Sequence, residues 1–309
     1  MSEERYGIRV WIAYAVVSVV WGSTYLAIRV GVLELPPFWM GGIRLVTAGT
    51  ILLAIALLTG RRLPRDAASW GWLVLTGVLI LGVALGSMFW AEQHLESGLA
   101  ALVACVSPLL MALYGSIGPR GDRLTARIMA GLLIGLAGVA ILVDPAWART
   151  GGAAPFIAVG VIIASSNAWS GGSVLAKRKL DEVGPLVSSA IHSLVGGVFL
   201  LLLDLILRGG SIPAASGRAW AALAYLTVFG SVIAYSAYVY LVRHMEPARA
   251  GTFTYINPVI AVLLGALLLG EAITWRVVVG GAVILAGLVL VRRSKLVPRA
   301  DALLKEPAA

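Results

Sequence analysis

Ten stretches of roughly 20 predominantly apolar residues, each long enough to cross about 30 Å of hydrocarbon as a helix, divide this sequence between short polar or Gly/Pro-containing breaks. They lie at Val10–Val30, Pro37–Leu58, Trp70–Ala91, Gly98–Ile117, Thr125–Val143, Pro155–Ala176, Pro185–Leu207, Ala219–Val242, Ala248–Leu269 and Trp275–Val291. The runs are too long and too uniformly apolar for the alternating strands of a barrel, so each is expected to be a helix. With 60% hydrophobic and 13% charged residues over 309 positions, the chain carries more apolar side chain than a soluble core can bury. The expected fold class is an all-α membrane protein of ten transmembrane helices, with the lipid bilayer as its surroundings. Arg5 and Arg9 precede the first run as they would a secretory signal, but no small-residue cleavage site follows. Trp21, Tyr25 and Arg29 stand where that site belongs, so the run is expected to stay as a helix.

Charge supplies direction. In a soluble protein the net charge of +9 would suggest nucleic acid, but the basic residues cluster between apolar runs, which points to lipid headgroups and topology. With the N-terminus in the cytoplasm, eighteen of the 24 basic residues fall on cytoplasmic segments and five on the opposite side, and Arg44 lies inside a run. That bias predicts both termini in the cytoplasm. No nucleic-acid partner is expected, and Cys105, the single cysteine, has no partner for an intrachain disulfide.

The two halves of the sequence align at a nearly constant offset. Trp21 matches Trp169, Arg29 matches Lys177, Pro37 matches Pro185 and Gly49 matches Gly197, each 148 residues apart. His94 matches His244, Ala100 matches Ala250 and Pro108 matches Pro258 at 150, and Gly131 matches Gly280 and Gly138 matches Gly287 at 149. The reading is a duplication, with a first five-helix repeat over 1–147, a second over 148–292 and a cytoplasmic basic tail over 293–309. Five is odd, so the second copy enters the membrane from the opposite side and the repeats are inverted. Inverted repeats place a substrate site near the midplane and support alternating access of one half against the other.

The stretch Trp21-Gly-Ser-Thr-Tyr25, the pair Pro36-Pro37, Arg44, Ser107-Pro108, Asn257-Pro258 and Gly270-Glu271 together resemble the EamA-type branch of the drug/metabolite transporter superfamily. The resemblance covers essentially the whole chain. It implies ten helices in two inverted halves and a role in exporting amino acids and other metabolites, and it implies a bacterial inner membrane location. The short motifs say less about substrate than about fold.

Several side chains stand out as candidates. Pro108 and Pro258, in equivalent runs, each remove a backbone hydrogen bond and suit kinks or gates, and Ser107 and Asn257 precede them. Trp21 and Trp169 occupy matching depths away from the interfacial belts and are candidate walls of a central cavity, against plain helix packing. Ser165, Ser166, Asn167 and Ser170 form a polar cluster in the sixth run, and Ser231, Tyr235 and Tyr238 another in the eighth; either set also suits interhelical hydrogen bonding. Arg44 is a candidate contact for a substrate carboxylate or gate, with a structural anchor as the alternative. His192 is a weaker candidate.

The sequence contains no HExxH, CxxC, P-loop or triad-like cluster, so no metal or cofactor is expected and an ATP-driven pump is disfavoured. All fifteen acidic residues fall in loops or near run ends, which favours facilitated export over an Asp/Glu proton relay, with coupling through His192 or a counter-substrate as the alternatives. A secondary transporter of small metabolites is the leading expectation. An intramembrane enzyme and a pore-type channel subunit are the alternatives, and oligomeric state is not legible.

Overall fold

The computed structural model describes residues 7–117, 126–146, 152–211, 214–244 and 253–292. Among the described residues every regular element is helical and there are no strands. We label the helices α1 (Ile8–Val32), α2 (Pro37–Leu58), α3 (Ala67–Ala91), α4 (Ser97–Gly115), α5 (Ala126–Leu142), α6 (Ala154–Lys179) and α7 (Pro185–Arg208). α8 begins as Gly217–Tyr225 and ends as Ala234–His244, and α9 (Phe253–Leu269) and α10 (Trp275–Arg292) follow. Seven helical stretches are long and apolar enough to cross a membrane, α1 to α4 and α6 to α8; α5, α9 and α10 contribute shorter apolar helices. The basic tail at 293–309 and the expected starts of the fifth and ninth runs, at Thr125 and Ala248, lie outside the described residues.

Local chemistry sets the helix ends. Pro37 and Pro185 stand in the first turns of α2 and α7, where a missing N–H costs nothing. Asp66 caps α3 by accepting from the Ser69 N–H at 2.7 Å. α7 stops at Gly209, whose φ of 73° places it in the left-handed region that ends helices.

Two helix pairs approach through glycine. α2 packs on α7 where a Cβ on Gly197 would stand 2.7 Å from the Val46 nitrogen, and one on Gly49 2.8 Å from the Leu194 nitrogen. α5 packs on α10 in the same manner, with a Gly138 Cβ 2.8 Å from the Ile284 nitrogen and a Gly287 Cβ 2.6 Å from the Gly131 carbonyl. Without hydrophobic drive in lipid, such backbone approach supplies the packing energy. Both pairs join the first half of the chain to the second.

α3 and α8 each open into a π-helical segment, Val78–Ala84 and Leu226–Ile233, and these begin 148 residues apart. Hydropathy carries no trace of them. The register change leaves carbonyls that seek partners outside the helix, which is why π segments recur at functional sites.

Candidate functional site

Arg44, on α2, is 6% exposed. Its Nε donates to Ser231 Oγ at 2.9 Å, and its guanidinium carbon stands 5.8 Å from the centre of the Phe89 ring. Nη2 lies over Gly230, where a Cβ would stand 3.1 Å away, so the missing side chain makes room for the guanidinium. Nη1 is buried with no hydrogen-bond partner among the described residues. Gly230 and Ser231 belong to the π segment of α8.

Trp21 reaches the same turn from α1. Its indole N–H donates to the Gly230 carbonyl at 3.1 Å, and its ring packs against Tyr238 and Phe253 with centroids 5.2 Å away in both cases. The structure thus sets Trp21 and Arg44, from the first half, on one π turn of the second half. The converse holds at the other π segment, where Ser165 of α6 donates to the Ala84 carbonyl at 2.8 Å.

The polar face of α6 meets α4. Asn167 Oδ1 accepts from the Tyr114 hydroxyl at 2.9 Å, its Nδ2 donates to the Ile163 carbonyl at 2.8 Å, and the Ser170 hydroxyl donates to the Ser107 carbonyl at 2.9 Å. Trp169, half-buried on α6, makes no hydrogen bond or ring contact with the described residues. Tyr235 of α8 bonds the Ser189 hydroxyl of α7, and His192 Nε2 stands 2.9 Å from the Thr76 hydroxyl of α3. The Asn257 amide faces the carbonyls of Ser18 on α1 and Phe253 on α9, and with its nitrogen assigned to that side it donates to them at 3.0 and 3.1 Å.

The paired prolines act differently. α4 is interrupted at Cys105 and Val106, just before Pro108, and the N–H groups there bond three residues back, to the carbonyls of Leu102 and Val103. Pro258 sits inside the unbroken α9. It withholds an N–H from the Thr254 carbonyl four residues back, and the Cys105 thiol donates to that carbonyl at 3.8 Å. The break at one proline therefore faces the carbonyl freed by the other.

Two carboxylates tie helix ends together. Glu34, after α1, accepts from the N–H and the hydroxyl of Ser216, both at 2.7 Å, at the start of α8. These donors hold the Glu34 carboxyl below the usual carboxylate range. Gly270, at φ 70°, turns the chain after α9 so that Glu271 points at the first turn of α4. There it accepts from the Ser97 N–H at 2.8 Å, the Ser97 hydroxyl at 2.8 Å and the Gly98 N–H at 3.1 Å. The Gly-Glu pair noted in the sequence is thus a helix cap supplied across the two halves.

Sequence reasoning missed Glu92. It follows α3 immediately, where hydropathy reads a solvated loop, yet it is 0% exposed and both carboxyl oxygens lack hydrogen-bond partners among the described residues. The one available signal was the brevity of the polar connection Glu92–Glu96 between two apolar runs. Beside it an open cleft of about 370 Å³ is lined by Val32–Phe38, Trp90, Gln93, Leu207 and Arg208, and none of the sequence candidates faces it. No group of three His, Cys, Asp or Glu side chains arranged to hold a metal occurs among the described residues.

Several apolar spans, with buried polar groups facing one another across interhelical contacts, describe a multi-pass membrane protein. The chain belongs to the EamA-like transporter family, whose sequence pattern matches twice, at residues 9–144 and 156–293. It is 38% identical over 264 residues, 83% of this chain and 81% of the relative, to the Escherichia coli protein named "Uncharacterized inner membrane transporter YedA". It is also 28% identical over 298 residues, 95% of this chain and 96% of the relative, to a Streptantibioticus cattleyicolor protein named "Probable terminal-alkyne amino-acid exporter". A solved crystal structure at 23% identity, covering 93% of this chain and 98% of its own, superposes with a TM-score of 0.65 and shares the fold. The chain is a membrane transporter of small metabolites.

Proposed function

We propose that this transporter exports amino acids, aromatic and other uncharged ones among them, across the bacterial inner membrane by alternating access. In this reading all ten helices span the bilayer as two inverted five-helix repeats, 1–147 and 148–292, and both termini lie in the cytoplasm. The observation that carries the substrate class is Arg44. A guanidinium buried between α2 and α8 with one nitrogen unpartnered is costly unless something satisfies it, and a carboxylate is the natural partner of its planar fork. The repeated family match and the capping of each π segment by the opposite half support a moving interface between repeats. The relative named as an amino-acid exporter supports the same class.

Purified protein in proteoliposomes tests this with a panel of labelled amino acids. Saturable uptake with counterflow supports a carrier for those substrates; unsaturable flux overturns it in favour of a pore.

A further inference from the structure

The Glu92 carboxyl has no part in the contacts that hold the helices together. Arg29 of α1 reaches the Glu92 connection but donates to its backbone carbonyl and not to the carboxyl. The charged groups that act on the carboxyl are Arg29 from α1, Arg44 from α2 and Glu271 from the turn after α9. Tyr25 of α1 lies within the field of Glu92, and Glu96, on the same connection, within the fields of Glu271 and Arg29. Neither arginine forms an ion pair with Glu92 among the described residues.

An ionised carboxylate held there would be shut off from bulk solvent, with no hydrogen-bond donor among the described residues on either oxygen, an arrangement of high desolvation cost. A carboxylic acid avoids most of that cost. The surroundings are also those of a joint. The Glu271 cap on α4 and the Glu34 contact with α8 bring the ends of the two halves together around this connection. Gln93, the next residue, donates to the Val32 carbonyl of α1 at 3.2 Å.

We propose that Glu92 is a proton-binding site loaded as the outer face of the transporter closes. The carboxylate takes one proton from outside water as the capping contacts form and its solvent is expelled. It releases that proton when the contacts part and water returns. By linkage, acidic outside medium then favours the closed outer face, and the two states differ by one bound proton at this residue. The assignment of this face to the outside rests on the topology proposed above; the occupancy of the carboxyl does not.

Infrared difference spectroscopy on the full-length protein in lipid at about pH 7 reads the occupancy directly. Subtracting Glu92→Gln from the parent is expected to remove a protonated-carboxyl C=O stretching band, whereas Glu96→Gln and Asp204→Asn leave it. Loss of a carboxylate band with no acid band overturns the proposal. Should Glu92→Gln fail to fold, Glu92→Asp keeps the acid and shifts the band, and an unshifted band has the same overturning force.

The coupling is read from a cysteine placed at Leu95, which is 3% exposed, in a Cys105→Ala background with a membrane-impermeant maleimide outside right-side-out vesicles. Divided at each pH by the rate for the same cysteine in denatured protein, so that thiol ionisation cancels, labelling is expected to quicken at least several-fold as outside pH rises from about 6 to about 9, and to lose that residual dependence with Glu92→Gln. The same pH profile in both proteins overturns the coupling. Labelling solely from the cytoplasmic side overturns the outer placement, while amino-acid flux judges the transport reading separately.

Discussion

Arg44 Nε and Ser231 Oγ stand 2.9 Å apart in a buried contact that joins α2 to the π segment of α8. A hydrogen bond to a charged group contributes about 1.5–3 kcal/mol, and here it also aims the remaining guanidinium face. Arg44→Gln is expected to lower saturable amino-acid flux about tenfold or more, chiefly through KM. Ser231→Ala is expected to lose less, because the charge remains. Arg44→Lys separates charge from fork geometry. Equal flux in parent and Arg44→Gln proteoliposomes would remove Arg44 from substrate contact.

The two tryptophans are expected to differ. Trp21 holds the Gly230 carbonyl through its indole N–H and packs on Tyr238 and Phe253. Trp21→Phe keeps one aromatic ring but loses the rest of the indole and about 1 kcal/mol of hydrogen bond, so thermal stability in detergent falls with transport. Trp169 has no such commitments among the described residues, so Trp169→Ala is expected to impair flux while leaving the unfolding midpoint nearly unchanged. Full transport in both Trp21→Ala and Trp169→Ala proteins refutes their place in the pathway.

Hydrophobic length placed α2 well. The run expected at Pro37–Leu58 is α2 residue for residue, because apolar length and a proline at the first turn are local properties. The sequence also singled out Arg44 and Ser231 separately, since polar atoms in apolar runs are conspicuous. It did not pair them, because the contact spans 187 residues of chain and hydropathy holds no register between helices. The π segments and the burial of Glu92 were illegible for a related reason. Both depend on which neighbour covers a given turn. The matched prolines show the limit of repeat symmetry, since equal sequence positions produced a broken α4 and an unbroken α9.

Glu34 gives a pH prediction with a fixed sign. Its folded carboxyl titrates lower than an unfolded one because the Ser216 N–H and hydroxyl favour the anion. The stabilisation it contributes is therefore fully present above the unfolded value near pH ~4.3 and is lost as pH falls through the lower folded value. The unfolding midpoint of the parent protein is expected to drop in that acid window, and Glu34→Gln is expected to flatten the drop. Identical acid profiles in the two proteins would show that the contact is not made in solution.

Glu271 is the stronger of the two capping carboxylates, with three donors at the first turn of α4 and a helix dipole of favourable sign. Glu271→Ala is expected to cost about 2 kcal/mol or more, while Glu271→Gln, which keeps the shape and loses the charge, costs about half as much. Gly265 offers an independent approach to the same contact. Its Cβ position lies against a Glu271 carboxyl oxygen and 2.8 Å from Ser97 Oγ, so Gly265→Ala must push the carboxylate off the cap without altering a single donor or charge. The expected result is that Gly265→Ala reproduces the lowered unfolding midpoint of Glu271→Gln, and that the double variant is no worse than either alone, as coupled residues in one contact require. Additive losses would mean that the two substitutions act on different structures, and the cap would not be what joins α9 to α4.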